Sequence, residues 1–339
     1  MYNNYEKDVY TMKSSGAPTM KDVAREAGVS LGTVSKVING IHVGDIYKEK
    51  VEKAAKKLGY QVNNYARGLK TNQTNTAAVL IPSLYHPFFA AIAEEVTAAL
   101  TLRGRRAMLM ITNYDNEAEK KCIAMVRQNK VDGIIALTYN PDLEVEDDIP
   151  FVTIDRRCGS NIPCVSSDNF GGGELAASKL LELGCKKLVY MRIGSMVPSE
   201  ADKRGAGFES VCRARRVDFD SVILNDEDTH EPFFRYLEAH IKGGQPDFDG
   251  IFCNTDRLAA IIISRLAQMG VKIPEQVQII GYDGIVDFAT GEPYCSTIVQ
   301  PIRQMAETAV NIMLNSDGAP TPALISLPVK YSASGTTRA

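Results

Sequence analysis

From Ala77 to Gly281, short apolar runs of strand length alternate with segments of helical periodicity, and this alternation constrains the fold more than any other feature. The first series is Ala77–Ile81, Phe88–Leu102, Ala107–Ile111, Glu117–Gln128, Gly133–Leu137 and Phe151–Ile154. It resumes with Gly173–Leu183, Leu188–Ile193, Asp202–Arg213, Val222–Leu224, Pro232–Ile241, Gly250–Cys253, Arg257–Met269 and Val277–Gly281. Strands that alternate with helices pair in parallel through right-handed crossovers. A stretch this long exceeds what one core normally serves, so an α/β body of two lobes is expected over 76–339. The first lobe should comprise about 76–163 and 300–328, the second about 164–299 and 329–339. A cleft between them, at the carboxyl ends of the strands, is where a small molecule would bind.

The net charge of −3 over 339 residues conceals a division. Between Thr19 and Thr71 ten basic residues face five acidic ones, whereas from Asn72 onward 26 basic residues face 34 acidic ones. A small cationic head thus precedes an anionic body, and polyanion contacts are expected of the head alone. No apolar run approaches the roughly 20 residues that span a bilayer, and the polar opening lacks the apolar core of a signal peptide. Seven scattered cysteines without a C-x-x-C pair suggest neither a disulfide framework nor a zinc site. A reducing cytoplasm is the expected location, with no membrane, metal or cofactor.

Residues 1–18 show no periodicity and read as a disordered tail. Thr19 then has the character of an N-cap, followed by Val23, Ala24 and Ala27 at helical spacing and by Gly28 as a stop. Ser30 caps a second short helix in which Val34, Val37 and Ile38 repeat, ended by Asn39-Gly40. A third helix is predicted over Asp45–Leu58. Two short helices across a tight turn, the second carrying small polar residues and a lysine outward, form a helix-turn-helix, and 19–62 is expected to bind double-stranded DNA. The segment 63–75 is a hinge and linker, since Asn63 to Lys70 is too short for an isolated helix to be stable in water.

The block Thr19 to Asn39, the motif Tyr65-Ala66-Arg67-Gly68-Leu69, Pro87-Phe88-Phe89, Ile154-Asp155-Arg156, Asp168-Asn169, Arg204 to Phe208, Asn254 to Ala259, Gly281-Tyr282-Asp283 and Ser296 to Pro301 occur in one order. In these motifs the chain resembles the LacI/GalR family of bacterial transcription regulators over nearly its whole length from Thr19. The resemblance implies a helix-turn-helix headpiece joined to a periplasmic-binding-protein-like body, acting as a homodimeric repressor on operator DNA rather than as an enzyme. It also implies that Leu31, Gly32 and Lys36 lie nearest the base edges, with Thr19, Thr33, Ser35 and Asn39 on phosphates. Lys36 would be the one polar reader, and it lacks the planar fork of Arg. Leu69 would wedge into the minor groove, at the cost of a few kcal/mol of unstacking. Val62 and Gly68 depart from the family's hinge pattern, and Gly68 lowers helix propensity by up to about 1 kcal/mol relative to Ala.

For the body, the resemblance implies an effector, by default a sugar, between the lobes. Phe88 or Phe89 would offer an aromatic face, Arg204 a bidentate donor and Asp256 an acceptor, with Asp155 and Asp168 as further candidates. Asp283 either joins them or only holds a strand end, and Ser83 shares a loop with His86 near the cleft. Glu200, if it faces the cleft, would reject anionic sugars. Gly171-Gly172-Gly173 lacks the G-x-G-x-x-G pattern and reads as a tight turn into a helix rather than a phosphate cradle. The competing reading is an α/β solute-binding protein or enzyme with an unrelated helical appendage. Against it, no G-x-S-x-G, H-E-x-x-H or Walker A run is present.

Overall fold

The computed structural model describes residues 18–61 and 74–338, apart from 141–142, 144, 146–148, 160, 196, 226–227, 288–289 and 316–320. Residues 1–17 of the expected tail 1–18, and the hinge motif with Leu69, lie outside the described residues. The chain divides into two compact units, one ending at Thr74 and the other beginning at Asn75.

In the first unit α1 (Met20–Ala27), α2 (Leu31–Ile38) and α3 (Asp45–Leu58) enclose Val23, Ala24, Val34, Val51 and Ala54. Asp22 closes the start of α1, its Oδ2 accepting from the Thr19 amide at 2.9 Å and the Thr19 hydroxyl at 2.7 Å. Gly28 ends it at φ 62°, a left-handed conformation that glycine adopts without a Cβ penalty. Ser30 Oγ then accepts from the Thr33 amide at 3.1 Å and starts α2. An ion pair of 2.6 Å between Lys57 and Glu26 ties α3 to α1.

The second unit holds two six-stranded sheets. The first runs β13-β5-β4-β3-β1-β2, with β1 (Thr76–Ile81), β2 (Arg106–Ile111), β3 (Ile134–Ala136), β4 (Phe151–Ile154), β5 (Cys164–Ser167) and β13 (Leu324–Leu327), all parallel. The second runs β14-β12-β11-β10-β6-β7, with β6 (Lys187–Ile193), β7 (Asp218–Leu224), β10 (Gly250–Cys253), β11 (Gln278–Asp283), β12 (Ser296–Val299) and β14 (Lys330–Ser332). Only β14 is antiparallel there, and β8 (Ile241–Lys242) and β9 (Gln245–Pro246) form a separate hairpin. Helices α4 (Pro87–Leu102) and α10 (Ile302–Leu314) bury Phe89, Ile92, Val96, Met305 and Val310 on the first sheet. Helix α5 (Asn116–Gln128) covers its other face. The second sheet lies between α6 (Asn169–Glu182) with α7 (Lys203–Arg215) on one side and α8 (Glu231–His240) with α9 (Asp256–Gln268) on the other.

The chain passes between the lobes three times: from β5 to α6, from β12 to α10, and from β13 to β14. The first passage corrects the expected lobe boundary. Cys164–Ser167 was assigned to the second lobe, yet it pairs with β4 and β13 in the first sheet, and the chain crosses after Ser167. All four residues are buried, so the strand's own pattern does not distinguish one sheet from the other. Beyond β14 the chain is stitched into the second lobe. Thr336 Oγ1 donates to the Ile279 carbonyl at 2.8 Å, and the Arg338 amide donates to Gln278 Oε1 at 2.9 Å.

Candidate effector cleft and nucleic-acid interface

Residues just beyond the carboxyl ends of the parallel strands converge on a cavity of about 650 Å³ between the lobes. The first lobe contributes an aromatic wall. Phe89 stacks on His86 with centroids 4.3 Å apart, and Tyr139 meets Phe89 and Tyr114 edge-on at 6.3 and 5.0 Å. The Arg156 guanidinium covers the Tyr139 ring at 3.8 Å. Phe88 and Phe89 both belong to the first lobe's core and both line the cavity, so core and site are not alternatives there.

The second lobe contributes a polar wall around Arg204. Its guanidinium lies over the Tyr282 ring at 3.7 Å, with Nε donating to Asn169 Oδ1 and Nη1 to the Asn254 carbonyl, each at 2.7 Å. Nη1 is also 3.6 Å from Asp283 Oδ1, which accepts from Gln300 Nε2 at 2.7 Å. Burial pushes the Asp283 carboxyl above the usual carboxylate range, while Arg204 opposes that rise. Asn169 Nδ2 donates in turn to Ser166 Oγ at 2.9 Å, and Ser166 Oγ donates to Asp155 Oδ1 at 3.0 Å. Ser167 Oγ donates to Gln300 Oε1 at 2.8 Å. The network Asp155–Ser166–Asn169–Arg204–Asp283–Gln300–Ser167 therefore links cavity-lining side chains to two of the three passages between lobes. Hydrogen bonds also cross the cleft: Arg156 Nη1 donates to the Val197 carbonyl at 2.6 Å, and the Glu200 amide to the Asp155 carbonyl at 3.2 Å. Tyr114, Asp155 and Asp283 hold φ of 60°, 64° and 120°, left-handed values that side chains other than glycine adopt only when their surroundings enforce them.

Three expected contacts are absent from the cavity lining. Asp256 turns into the protein, its Oδ2 accepting from the Gly284 and Ile285 amides at 2.8 and 2.7 Å and its Oδ1 from Thr297 Oγ1 at 2.6 Å, so its acceptors are already used. Asp168 caps α6 by accepting from the Gly171 amide at 2.9 Å. Ser83 Oγ accepts from the Tyr85 amide at 3.0 Å within its own turn. Glu200 is buried, absent from the lining and paired with Lys203 at 2.5 Å, so it does not guard the cleft. The glycine run is not a turn but the first two turns of α6, where α7 crosses closely. A Cβ added at Gly173 would overlap the Arg204 carbonyl, and one at Gly207 the Phe170 carbonyl.

On the headpiece, Leu31, Gly32, Lys36 and Asn39 are exposed along α2, while Thr33 and Ser35 are half-buried and Val34 faces the core. Thr33 Oγ1 lies 2.9 Å from Ser30 Oγ, and Asn39 Nδ2 donates to the Ser35 carbonyl at 2.8 Å. Thr19 is exposed at the N-terminus of α1. A helix presenting a free lysine and small polar groups beside two helix N-termini can meet a phosphate backbone and base edges.

Residues 19–63 match the model of "Bacterial regulatory proteins, lacI family", and residues 74–325 that of "Periplasmic binding proteins and sugar binding domain of LacI family". The chain belongs to the lacI family of bacterial regulatory proteins. The ribose operon repressor of Halalkalibacterium halodurans is 33% identical over 87% of this chain and 89% of its own. The sucrose operon repressor of Streptococcus mutans is 32% identical over 91% and 96%. The Lac repressor dimer bound to operator and the anti-inducer ONPF shares the fold at 23% identity, with a TM-score of 0.81 covering 96% of this chain and all of that one. This lacI-family protein is thus a ligand-regulated, DNA-binding transcriptional repressor, and no described helix is long and apolar enough to cross a membrane. Tyr114, Tyr139, Arg156, Arg192, Asn254 and Arg257 also line the regulator's cleft, a role that the sequence reading does not give them. Their common signal is position, each standing within a few residues of a strand's carboxyl end or in the first turn after it.

Proposed function

We propose that the effector is a sugar or closely related polyol held between the lobes, and that its binding sets the protein's affinity for an operator gripped by two headpieces. One observation supports this above all: the cavity joins an aromatic wall from one lobe to a guanidinium, carboxylate and amide wall from the other. Aromatic faces cover the C–H side of a sugar ring, and paired donors and acceptors suit vicinal hydroxyls. Phe89, Tyr139, Asp155, Arg204, Asn254 and Asp283 are the residues assigned to it. Because Arg204 and Asp283 connect to Asn169 and Gln300 at the lobe crossings, a ligand that changes their hydrogen bonding shifts the relative orientation of the lobes. Coupling of this kind is typically worth about 1–3 kcal/mol.

On DNA, Leu31 and Gly32 make apolar or backbone contact, Lys36 reads a base, and Thr19, Thr33, Ser35 and Asn39 hold phosphates, with Leu69 as the minor-groove wedge of a dimer. The relatives are repressors, and the protein is read as one rather than as an enzyme. Operator selection in vitro followed by fluorescence anisotropy tests the reading. The selected site should be two-fold related, and the Lys36→Ala variant should lose specificity at one base pair per half-site, by about 1–3 kcal/mol. Binding should fall steeply with salt. Salt-insensitive binding, or an unaffected Lys36→Ala protein, would refute the headpiece assignment, while indifference of operator affinity to every sugar tested would refute the effector assignment.

A further inference from the structure

The charges lining the cleft are unequally engaged. Asp202 pairs with Arg192 at 2.6 Å, and Asp283 lies against Arg204 and Gln300. Asp155 accepts from Ser166, and Asp228 Oδ2 accepts from the Asn225 amide at 2.7 Å. Among the lining guanidiniums, Arg156 donates to the Val197 carbonyl and covers Tyr139. Arg257, exposed in the first turn of α9, makes no hydrogen bond or ion pair among the described residues. His86 also lines the cavity, from the opposite lobe, and its Nδ1 is buried without a hydrogen-bond partner. Arg257 and Arg204 both oppose protonation of His86, after burial itself. The cleft therefore holds one guanidinium, Arg257, with unfilled donor capacity, and across from it an imidazole nitrogen without a partner.

We infer that the effector carries an oxyanion, a phosphate or a carboxylate on its polyol frame, and that Arg257 receives it opposite His86. This rests on the reading of the cleft as a sugar site and narrows the ligand class. A guanidinium offers planar paired donors that match an oxyanion's geometry, and free in a cleft it favours a charged ligand over its neutral parent. Glu200 does not oppose an anion, because its carboxylate is buried against Lys203 outside the lining.

The test uses full-length protein and thermal shift at matched ionic strength. Probes are glucose, fructose and ribose, their phosphates, glucuronate, glucosamine, and inorganic phosphate alone. Expected is stabilisation by at least one phosphorylated or carboxylated sugar at a concentration tenfold or more below that needed for its neutral parent. Inorganic phosphate should give a smaller shift. Arg257→Gln should remove both the preference and the phosphate shift, and Arg257→Lys should keep part of each. Phosphate esters and glucuronate distinguish the two oxyanions. Equal binding of neutral and anionic partners, stronger binding of glucosamine, or a preference that survives Arg257→Gln would overturn the inference while leaving a sugar site in place. Absence of any response, phosphate included, would overturn it too. If operator affinity is then also indifferent to every probe, the sugar-site reading fails with it.

Discussion

Arg204 is fixed on every side: an aromatic ring beneath it, two acceptors at 2.7 Å and a buried carboxylate at 3.6 Å. Removing the guanidinium leaves the Asn169 and Asn254 oxygens buried without their donor, at about 1–3 kcal/mol for each unsatisfied group. Arg204→Ala should lose stability on that order in urea denaturation, whereas Asp283→Asn should lose clearly less, because burial already favours the uncharged form at that position. His86 supplies a pH test. Burial and two arginines lower its pKa to about 4, so the unfolded chain binds more protons than the folded one between about 4 and 6.5. Stability from this group is complete above about pH 6.5 and is lost as pH falls towards 4. His86→Gln should therefore gain on the parent protein in melting temperature over that interval, and parallel curves would contradict the assignment. Asp256, whose carboxyl is raised by burial, contributes with the opposite sign and is common to both proteins, so the difference isolates His86. Single-residue placement was the least legible part of the sequence. Asp168 and Asn169 are adjacent and both polar, yet one caps α6 and the other reaches Arg204, a choice made by where the helix begins. The family resemblance implies a cleft role for Asp256, but two loop amides beyond β11 claim its oxygens, and those amides are remote in sequence.

Elements were easier to read than single residues, because their signal is summed over many positions. The predicted bounds Asp45–Leu58 coincide with α3, and the apolar runs after the linker became β1, β2, β6, β10 and β11 nearly as written. The glycine run shows where this fails. Glycine weakens a helix, so three in succession read as a turn, yet in α6 Gly173 allows the backbone of α7 to approach within contact and Gly172 leaves room for the Tyr282 ring. Only the partner helix reveals that need. Gly173→Ala should destabilise by about 1–3 kcal/mol or more, the range typical of overpacking, although alanine favours helix. An unchanged or raised denaturation midpoint would show that the crossing can relax.

At the scale of the molecule, the division into a cationic head and an anionic two-lobed body was visible in charge and periodicity alone. The point of crossing was not, because β5 looks alike in either sheet. Linkage ties the units' functions together whatever their arrangement. If effector lowers operator affinity by some factor, operator must lower effector affinity by the same factor. Titrating effector into free and operator-saturated protein checks this, and unequal factors would mean that a further binding equilibrium is present.

One earlier observation bears on how the protein is made. The strands β13 and β14 are the last of their respective sheets to be synthesised, and the residues after them are bonded into the second lobe. A nascent chain can complete its short-range three-helix head long before either lobe is whole, because each sheet waits for its last strand, β13 or β14. During that interval a growing polypeptide already displays its DNA-reading surface while the part that governs it is still unformed.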